Sequence, residues 1–165
     1  MKSVVQVLFI FLMSIGFSTS IKAQAVNEGR FRMTKNEIIN SKAPGQKAPG
    51  SSNLPAVQVM VLFGGPSKTG LYTIIIKVAA NTKIPAHLHP DQRVATVISG
   101  DWYFGYGDQF SVDSLKKLPA GSVYSEVAGQ NHFAMTKDPV VVEITGYGPS
   151  GVTYVNPADD PQNKK

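Results

Sequence analysis

The stretch Pro85-Ala86-His87-Leu88-His89-Pro90-Asp91-Gln92-Arg93 contains two of the three histidines in the chain. One residue separates them, and in an extended strand residues i and i+2 face the same side, about 6.6 Å apart along the strand. His87 and His89 can therefore direct both imidazoles into one space. The third histidine, His132, ends a second informative stretch, residues 121–132. An imidazole from a neighbouring strand would complete a three-nitrogen site, so the pattern predicts that His87, His89 and His132 bind a metal ion.

The first 25 residues have the three-part pattern of a cleavable secretory signal peptide. Met1 and Lys2 give a basic start, residues 4–17 are largely apolar, and Ala23-Gln24-Ala25 is an A-x-A cleavage site. Because the apolar run is too short for a comfortable membrane span, we expect no stable membrane anchor. We expect cleavage after Ala25, or alternatively after Ala23, and a periplasmic or secreted protein. The absence of cysteine excludes disulfides, thiolate ligands and a lipidated cysteine at the cleavage site.

The charge of the chain argues against a nucleic-acid partner. The full sequence carries a formal charge of +5, and without Lys2 and Lys22 it has 14 basic residues against 11 acidic ones, a charge of +3. The basic residues are scattered, and no basic stripe is interleaved with aromatic residues. We therefore expect a small-molecule ligand or substrate and no nucleic-acid partner.

The chain after the signal peptide divides into an arm, an all-β domain and a tail. Residues 26–55 are polar and include the Pro/Gly-rich stretch 43–50, which is typical of loops; they are predicted to be an N-terminal arm or linker, either packed through a few apolar residues or flexible. Residues 56–156 alternate short β-branched and aromatic runs with Gly, Pro, Asn and Asp, which predicts a β-sandwich or small barrel. Residues 157–165 are predicted to be a flexible tail. The predicted strands are Val57–Phe63, Leu71–Val78, Ile84–His89, Val94–Ser99, Asp101–Tyr106, Gly121–Val127, Asn131–Thr136, Val140–Thr145 and Val152–Val155, with a break at residues 146–149.

The two histidine stretches resemble the two sequence motifs of the cupin superfamily. The first runs Asn81, five residues, His87-Leu88-His89, three residues, Arg93, six residues, Gly100; the second runs Gly121, five residues, Val127-Ala128-Gly129, two residues, His132, three residues, Thr136. The resemblance extends over roughly residues 55–156 and implies a cupin-type double-stranded β-helix, which is a jelly-roll barrel. It also implies one divalent metal ion per chain (Zn, Fe, Mn, Ni or Cu, among which the sequence does not choose) and a homodimer, because small cupins often pair.

The main departure from the cupin pattern is Arg93, which occupies the place of an acidic metal ligand. A guanidinium has no free lone pair and stays charged, so it cannot ligate a metal. Some cupins lack this acidic residue and bind metal through three histidines, and this sequence is similar to that group. Asn81 stands where the motif has a turn glycine, and asparagine also adopts left-handed backbone conformations. Val127 and Thr136 replace a proline and an asparagine.

Glu126 and Arg93 are the candidate catalytic residues. Glu126 could serve as a displaced fourth ligand or as a general base beside the metal; alternatively it pairs with Arg93 or faces solvent. Arg93 could bind a substrate carboxylate through two hydrogen bonds, or form an internal salt bridge with Glu126. Asp91 and Gln92 are weaker ligand candidates, because turns beside proline usually face solvent.

The sequence allows two functional classes. One is a metal-dependent enzyme of the oxygenase, isomerase or lyase type that acts on a small organic, anionic substrate. The other is a non-catalytic periplasmic protein that binds or senses a metal or a small molecule. In either class Trp102 and Tyr124 are candidates for the mouth of a pocket. The sequence has no phosphate-binding loop, dinucleotide fingerprint or Gly-x-Ser-x-Gly elbow.

Overall fold

Ten strands and one short helix form the part of the chain that the structure, a computed structural model, describes, which is residues 30–43 and 48–164. The predicted signal peptide lies outside the described residues. The elements are α1 Lys35–Asn40, β1 Val57–Phe63, β2 Gly70–Val78, β3 Lys83–Leu88, β4 Arg93–Ser99, β5 Asp101–Tyr106, β6 Lys116–Pro119, β7 Val123–Glu126, β8 His132–Met135, β9 Val140–Gly148 and β10 Thr153–Tyr154.

The strands pair in two antiparallel five-stranded sheets, with the orders β1-β2-β9-β4-β7 and β10-β3-β8-β5-β6. Alternate side chains of both sheets point into one shared core, as expected for strands with a side-chain period of two. Tyr72, Ile74, Phe104 and Val142 are among the buried residues of this core. The predicted all-β jelly-roll fold is confirmed.

Two predictions about individual strands were wrong. Strand β6 was not predicted, because Lys116, Lys117 and Pro119 are typical of an edge strand and only Leu118 is buried. The predicted break at residues 146–149 is not where β9 ends, since β9 continues to Gly148. Gly146 serves close packing there rather than a turn, because a Cβ at this position would lie 2.6 Å from the Tyr72 hydroxyl.

Residues 30–43 of the N-terminal arm pack on the outer face of the first sheet through α1 and its flanks. Thr34 and Glu37 form a capping box that starts α1: the Glu37 amide donates to Thr34 Oγ1 at 3.3 Å, and the Thr34 amide donates to Glu37 Oε2 at 2.6 Å. Ile38 then packs against Met60, Leu62, Ile75 and Val141. Among the residues described, no helix is long and apolar enough to cross a membrane.

Two further local features bear on the sequence analysis. Asn81 adopts φ +53° in the turn between β2 and β3, which is the left-handed conformation expected of a residue in place of a turn glycine. Residues Pro157–Asp159 and Pro161–Asn163 each form a short 3₁₀ turn.

Candidate metal centre

Two cross-strand pairs, one from each sheet, place the candidate site residues. His87 on β3 lies opposite His132 on β8, and Arg93 on β4 lies opposite Glu126 on β7. The register of β3 and β8 shifts between Ile84 and His87, a bulge of the kind that redirects side chains beside functional sites. His89 follows directly after β3, two residues beyond His87. The sequence prediction that the three histidines converge is thereby confirmed geometrically.

The three imidazoles present free Nε2 atoms to one another. Nδ1 lies 2.7 Å from Pro85 O in His87 and 2.6 Å from Gly151 O in His89. In His132 it lies 3.3 Å from the carbonyl oxygen two residues before. A carbonyl oxygen only accepts hydrogen bonds, so each Nδ1 carries the proton and each Nε2 keeps its lone pair. One ligand atom from each histidine lies within 4.8 Å of those of the other two.

Burial keeps the three imidazoles neutral. It is the largest cause that lowers the pKa of His87 to about 3 and that of His132 to about 4, and it also holds the pKa of His89 well below its usual value. His132 Nε2 is buried and has no hydrogen-bond partner within the protein. Three converging neutral nitrogens, one of them unpartnered, are a donor set that suits a divalent transition-metal ion.

Glu126 reaches the histidines from the opposite sheet. Its Oε2 lies 3.6 Å from His89 Nε2 and 3.9 Å from His132 Nε2. Burial raises the pKa of Glu126, and the nearby Arg93 guanidinium partly counters that shift. The Glu126 carboxylate is not part of the three-histidine group, in which the ligand atoms all lie within 4.8 Å of one another. It is better placed to exchange a proton beside the histidines than to complete their coordination shell.

Arg93 is one of the most deeply buried side chains, with 1% of its surface exposed. All five of its N–H groups have acceptors: Asp91 Oδ1 at 3.5 Å, Gly50 O at 2.7 Å, Glu126 Oε2 at 3.3 Å, Ser150 Oγ at 2.6 Å and Gly151 O at 3.4 Å. No donor is left for a substrate. Of its two predicted roles, these contacts favour the internal ion pair with Glu126.

The expectation that Asp91 faces solvent was wrong. Asp91 is 6% exposed, and it accepts hydrogen bonds from the hydroxyls of Tyr72 and Ser150, both at 2.6 Å. The reason is that the inward alternation of the strand continues through the turn after Pro90, so that residues 87, 89, 91 and 93 are all buried. Gln92 points outward and accepts a hydrogen bond from the Ala128 amide at 3.3 Å.

A small cavity of about 30 Å³ adjoins the three histidines. Trp102 lines this cavity but is buried rather than at a mouth, and Tyr124 lines a separate cavity beside Tyr106 and Val123. Gly50, Ser51 and Ser52 of the N-terminal arm are buried and also line the cavity. Sequence reasoning missed these three residues, because a Pro/Gly-rich stretch far from both motifs gives no local signal of a role at the site.

Solved structures resemble this chain in fold. An uncharacterized conserved protein with a double-stranded beta-helix domain from Klebsiella pneumoniae superposes with a TM-score of 0.53 at 19% identity, over 76% of this chain and 96% of that one. DMSP lyase DddQ from Ruegeria pomeroyi gives 0.53 at 17% identity, over 76% of this chain and 60% of the lyase. Salicylate 1,2-dioxygenase from Pseudoaminobacter salicylatoxidans, in a structure with gentisate, gives 0.51 at 12% identity, over 64% of this chain.

These likenesses show a double-stranded β-helix fold, and the three-histidine cluster gives this barrel a candidate metal centre. The chain spans only 30% of the length of the dioxygenase. The sequence matches no protein-family model and no curated protein.

Proposed function

We propose that this protein is an exported, metal-dependent enzyme that acts on a small organic substrate, and that His87, His89 and His132 bind one divalent transition-metal ion. The observation that carries the proposal is the arrangement of three buried, neutral imidazoles, each oriented by a hydrogen bond from Nδ1 to a backbone carbonyl. Such an outer hydrogen bond fixes the ring and makes Nε2 the ligand atom. The dioxygenase and lyase among the structural neighbours support an enzymatic role and a small substrate.

In this proposal Glu126 is the general base and Arg93 is a positioning residue. A bound divalent ion would supply Lewis-acid polarisation of a substrate oxygen. Glu126 holds a proton more readily than an exposed glutamate, because burial raises its pKa. Arg93 fixes the carboxylate of Glu126 at 3.3 Å from one side. Its remaining donors hold Gly50, which lines the cavity, and the loop at Ser150.

The experiment that tests the proposal combines metal binding with turnover. Calorimetric titration of metal-free protein with Zn(II) or Co(II) should give one site per chain, and His87→Ala, His89→Ala and His132→Ala should each weaken binding by at least tenfold. Exposed Asp113 provides the control, since Asp113→Ala should bind metal as the wild type does.

A turnover measurement distinguishes the proposed role of Glu126 as a general base from that of the three histidines as metal ligands. In a screen of small organic acids with the metal-loaded protein, Glu126→Gln should retain the metal and lose at least 100-fold in kcat, as expected when a general base is removed. Metal-dependent turnover that survives Glu126→Gln unchanged would remove Glu126 from the mechanism.

A non-catalytic binding or sensing protein is the second candidate. The observation that favours it is the small size of the cavity, about 30 Å³, which leaves little room for a reacting substrate. A loaded protein that binds small ligands reversibly, but converts none of the organic acids in the screen, would favour this candidate over the enzyme.

The mature protein is proposed to be periplasmic or secreted and to form a homodimer. The support for export is the signal-peptide pattern of residues 1–25. N-terminal sequencing of the exported protein should start at Val26 or Gln24, and an intact Met1 would contradict export. Light scattering coupled to gel filtration should give twice the mass of the mature chain; the mass of one chain would contradict the dimer.

A further inference from the structure

Three side chains with polar groups meet beside the candidate metal centre, namely Trp102, Tyr124 and Glu126. Burial raises the pKa of the Tyr124 hydroxyl well above its usual value, while hydrogen bonding by the Trp102 indole lowers it and hydrogen bonding to Glu126 raises it. Trp102 Nε1 and the Tyr124 hydroxyl oxygen are buried, and among the described residues neither has a hydrogen-bond partner outside this group of three. Because buried polar groups are normally paired, we expect the three side chains to satisfy one another.

The strands bring these side chains together. Tyr124 and Glu126 are two residues apart on β7 and therefore point to the same side of the sheet. Trp102 and Phe104 are likewise two residues apart on β5, and both are buried. The Phe104 ring contacts both groups of residues, with its centroid 4.3 Å from that of Tyr124 and 5.4 Å from that of His132. Aromatic packing thus holds the Tyr124 ring close to the three histidines.

The chemistry of the three groups fixes the direction of the hydrogen bonds. An indole N–H can only donate, a phenol hydroxyl both accepts and donates, and a carboxyl oxygen accepts. Trp102 therefore donates to the Tyr124 oxygen, which leaves the Tyr124 proton free to be donated to Glu126. This order does not depend on the protonation of Glu126, since a carboxyl group keeps an acceptor oxygen in either state.

We propose that Tyr124 is a second positioning residue, which accepts a hydrogen bond from Trp102 and donates one to Glu126, and so holds the Glu126 carboxyl group beside the three histidines. This inference rests on the proposed function, because it assigns the residue that places the proposed general base. Arg93 already contacts Oε2 of Glu126 at 3.3 Å, and the Tyr124 hydroxyl adds a second restraint on the same carboxyl group.

A change in the position of Glu126 would affect the metal centre. Its Oε2 lies 3.6 Å from His89 Nε2 and 3.9 Å from His132 Nε2. A carboxyl group that moves to another rotamer therefore changes the surroundings of an ion bound by these nitrogens. The spectrum of a bound ion can accordingly report on whether Tyr124 restrains Glu126.

The first test uses the metal-free protein and Tyr124→Phe, which removes one hydroxyl and keeps the ring. Trp102 is the only tryptophan in the chain, so its indole N–H gives a single resonance in a proton–nitrogen correlation NMR spectrum. That resonance should move upfield in Tyr124→Phe, because the N–H loses its acceptor. The control is Tyr106→Phe, which removes an exposed hydroxyl that donates to Ser125 O at 2.7 Å and should leave the indole resonance unchanged.

Urea unfolding of the metal-free protein tests the bond to Glu126. The losses of stability caused by Tyr124→Phe and Glu126→Met should be less than additive in the double variant, because both substitutions remove the same hydrogen bond. Tyr106→Phe and Glu126→Met should instead be additive.

The second test uses the Co(II)-loaded protein, whose visible absorption spectrum reports on the surroundings of the ion. Tyr124→Phe should change this spectrum, and the change should disappear in a Glu126→Met background, since Tyr124 acts on the ion only through Glu126. A merely structural role of Tyr124 would alter the spectrum alike in both backgrounds.

The outcomes separate this inference from the proposed metal centre. An indole resonance that stays in place in Tyr124→Phe, or unfolding losses that add in full, would overturn the inference. Equal spectral changes with and without Glu126→Met, with cobalt bound normally, would also overturn it and leave the metal centre standing. If the wild type binds no Co(II), the proposed metal centre fails, whereas the NMR and unfolding measurements still decide whether Tyr124 holds Glu126.

Discussion

Arg93→Met tests whether Arg93 holds the two buried carboxylates of the barrel. Methionine fills much of the same volume but removes all five donors, so that Glu126 loses its ion pair at 3.3 Å and Asp91 loses the guanidinium at 3.4 Å. Breaking a buried ion pair by removing one partner costs about 3–5 kcal/mol, which is a large part of the roughly 5–15 kcal/mol that stabilises an ordinary domain. For a barrel of this size we expect the melting temperature to fall by roughly 10–20 °C.

The assay is urea and thermal unfolding of the metal-free protein, followed by circular dichroism. The matched control is the exposed ion pair between Lys117 and Asp101, at 2.7 Å, where Lys117→Met should change stability by no more than about 1 kcal/mol. Adding Glu126→Gln to Arg93→Met should recover part of the loss, because it removes one of the uncompensated charges. A cost below about 1 kcal/mol for Arg93→Met, equal to that of Lys117→Met, would refute the reasoning.

The remaining predictions concern stability in acid and the close packing at Gly50. Burial lowers the pKa of His87 to about 3 and that of His132 to about 4, against 6.5 in the unfolded chain. Between these pKa values the unfolded state therefore binds more protons than the folded state. The metal-free protein should accordingly lose stability as pH falls through that window. The raised pKa of Glu126 acts in the opposite sense, but it is one group against three histidines, since burial also lowers the pKa of His89. An unfolding midpoint in urea that is independent of pH between 7 and 4 would contradict the prediction. Gly50→Ala should cost roughly 1–3 kcal/mol, because Gly50 has φ +81° and a Cβ would lie 2.6 Å from the guanidinium of Arg93. Gly121→Ala, with φ +90° but nothing within 4 Å, should cost less, and equal costs measured by urea unfolding would show that the close contact at Gly50 does not matter.

The alternation of inward and outward side chains along the strands, with a period of two residues, predicts most of the fold and most of the candidate site. It placed His87 and His89 on one face, and the same alternation runs on unbroken to Ala95. The burial of Asp91 was predicted wrongly because the proline beside it is typical of a solvent-exposed turn. Asp91 nevertheless continues the alternation that buries positions 89 and 93. A local turn preference was overridden here by the strand pattern on both sides of it.

The parts that sequence did not predict depend on contacts between distant segments. In the sequence Gly146 is typical of a turn, whereas in the structure it lies against Tyr72. Ser52 and Gly50 are held at the cavity by hydrogen bonds with Tyr154 and Arg93, which lie 102 and 43 residues away in the chain. No periodicity or motif encodes such pairings, because they depend on where the arm packs against the folded barrel.

The central claim is that three Nε2 atoms bind one metal ion, and anomalous X-ray diffraction from crystals of the metal-loaded protein tests it most directly. The account predicts one anomalous peak per chain, about 2.0–2.1 Å from Nε2 of His87, His89 and His132, with each Nδ1 still directed at its backbone carbonyl. A peak at any other place in the chain, or coordination through an Nδ1 atom, would contradict it.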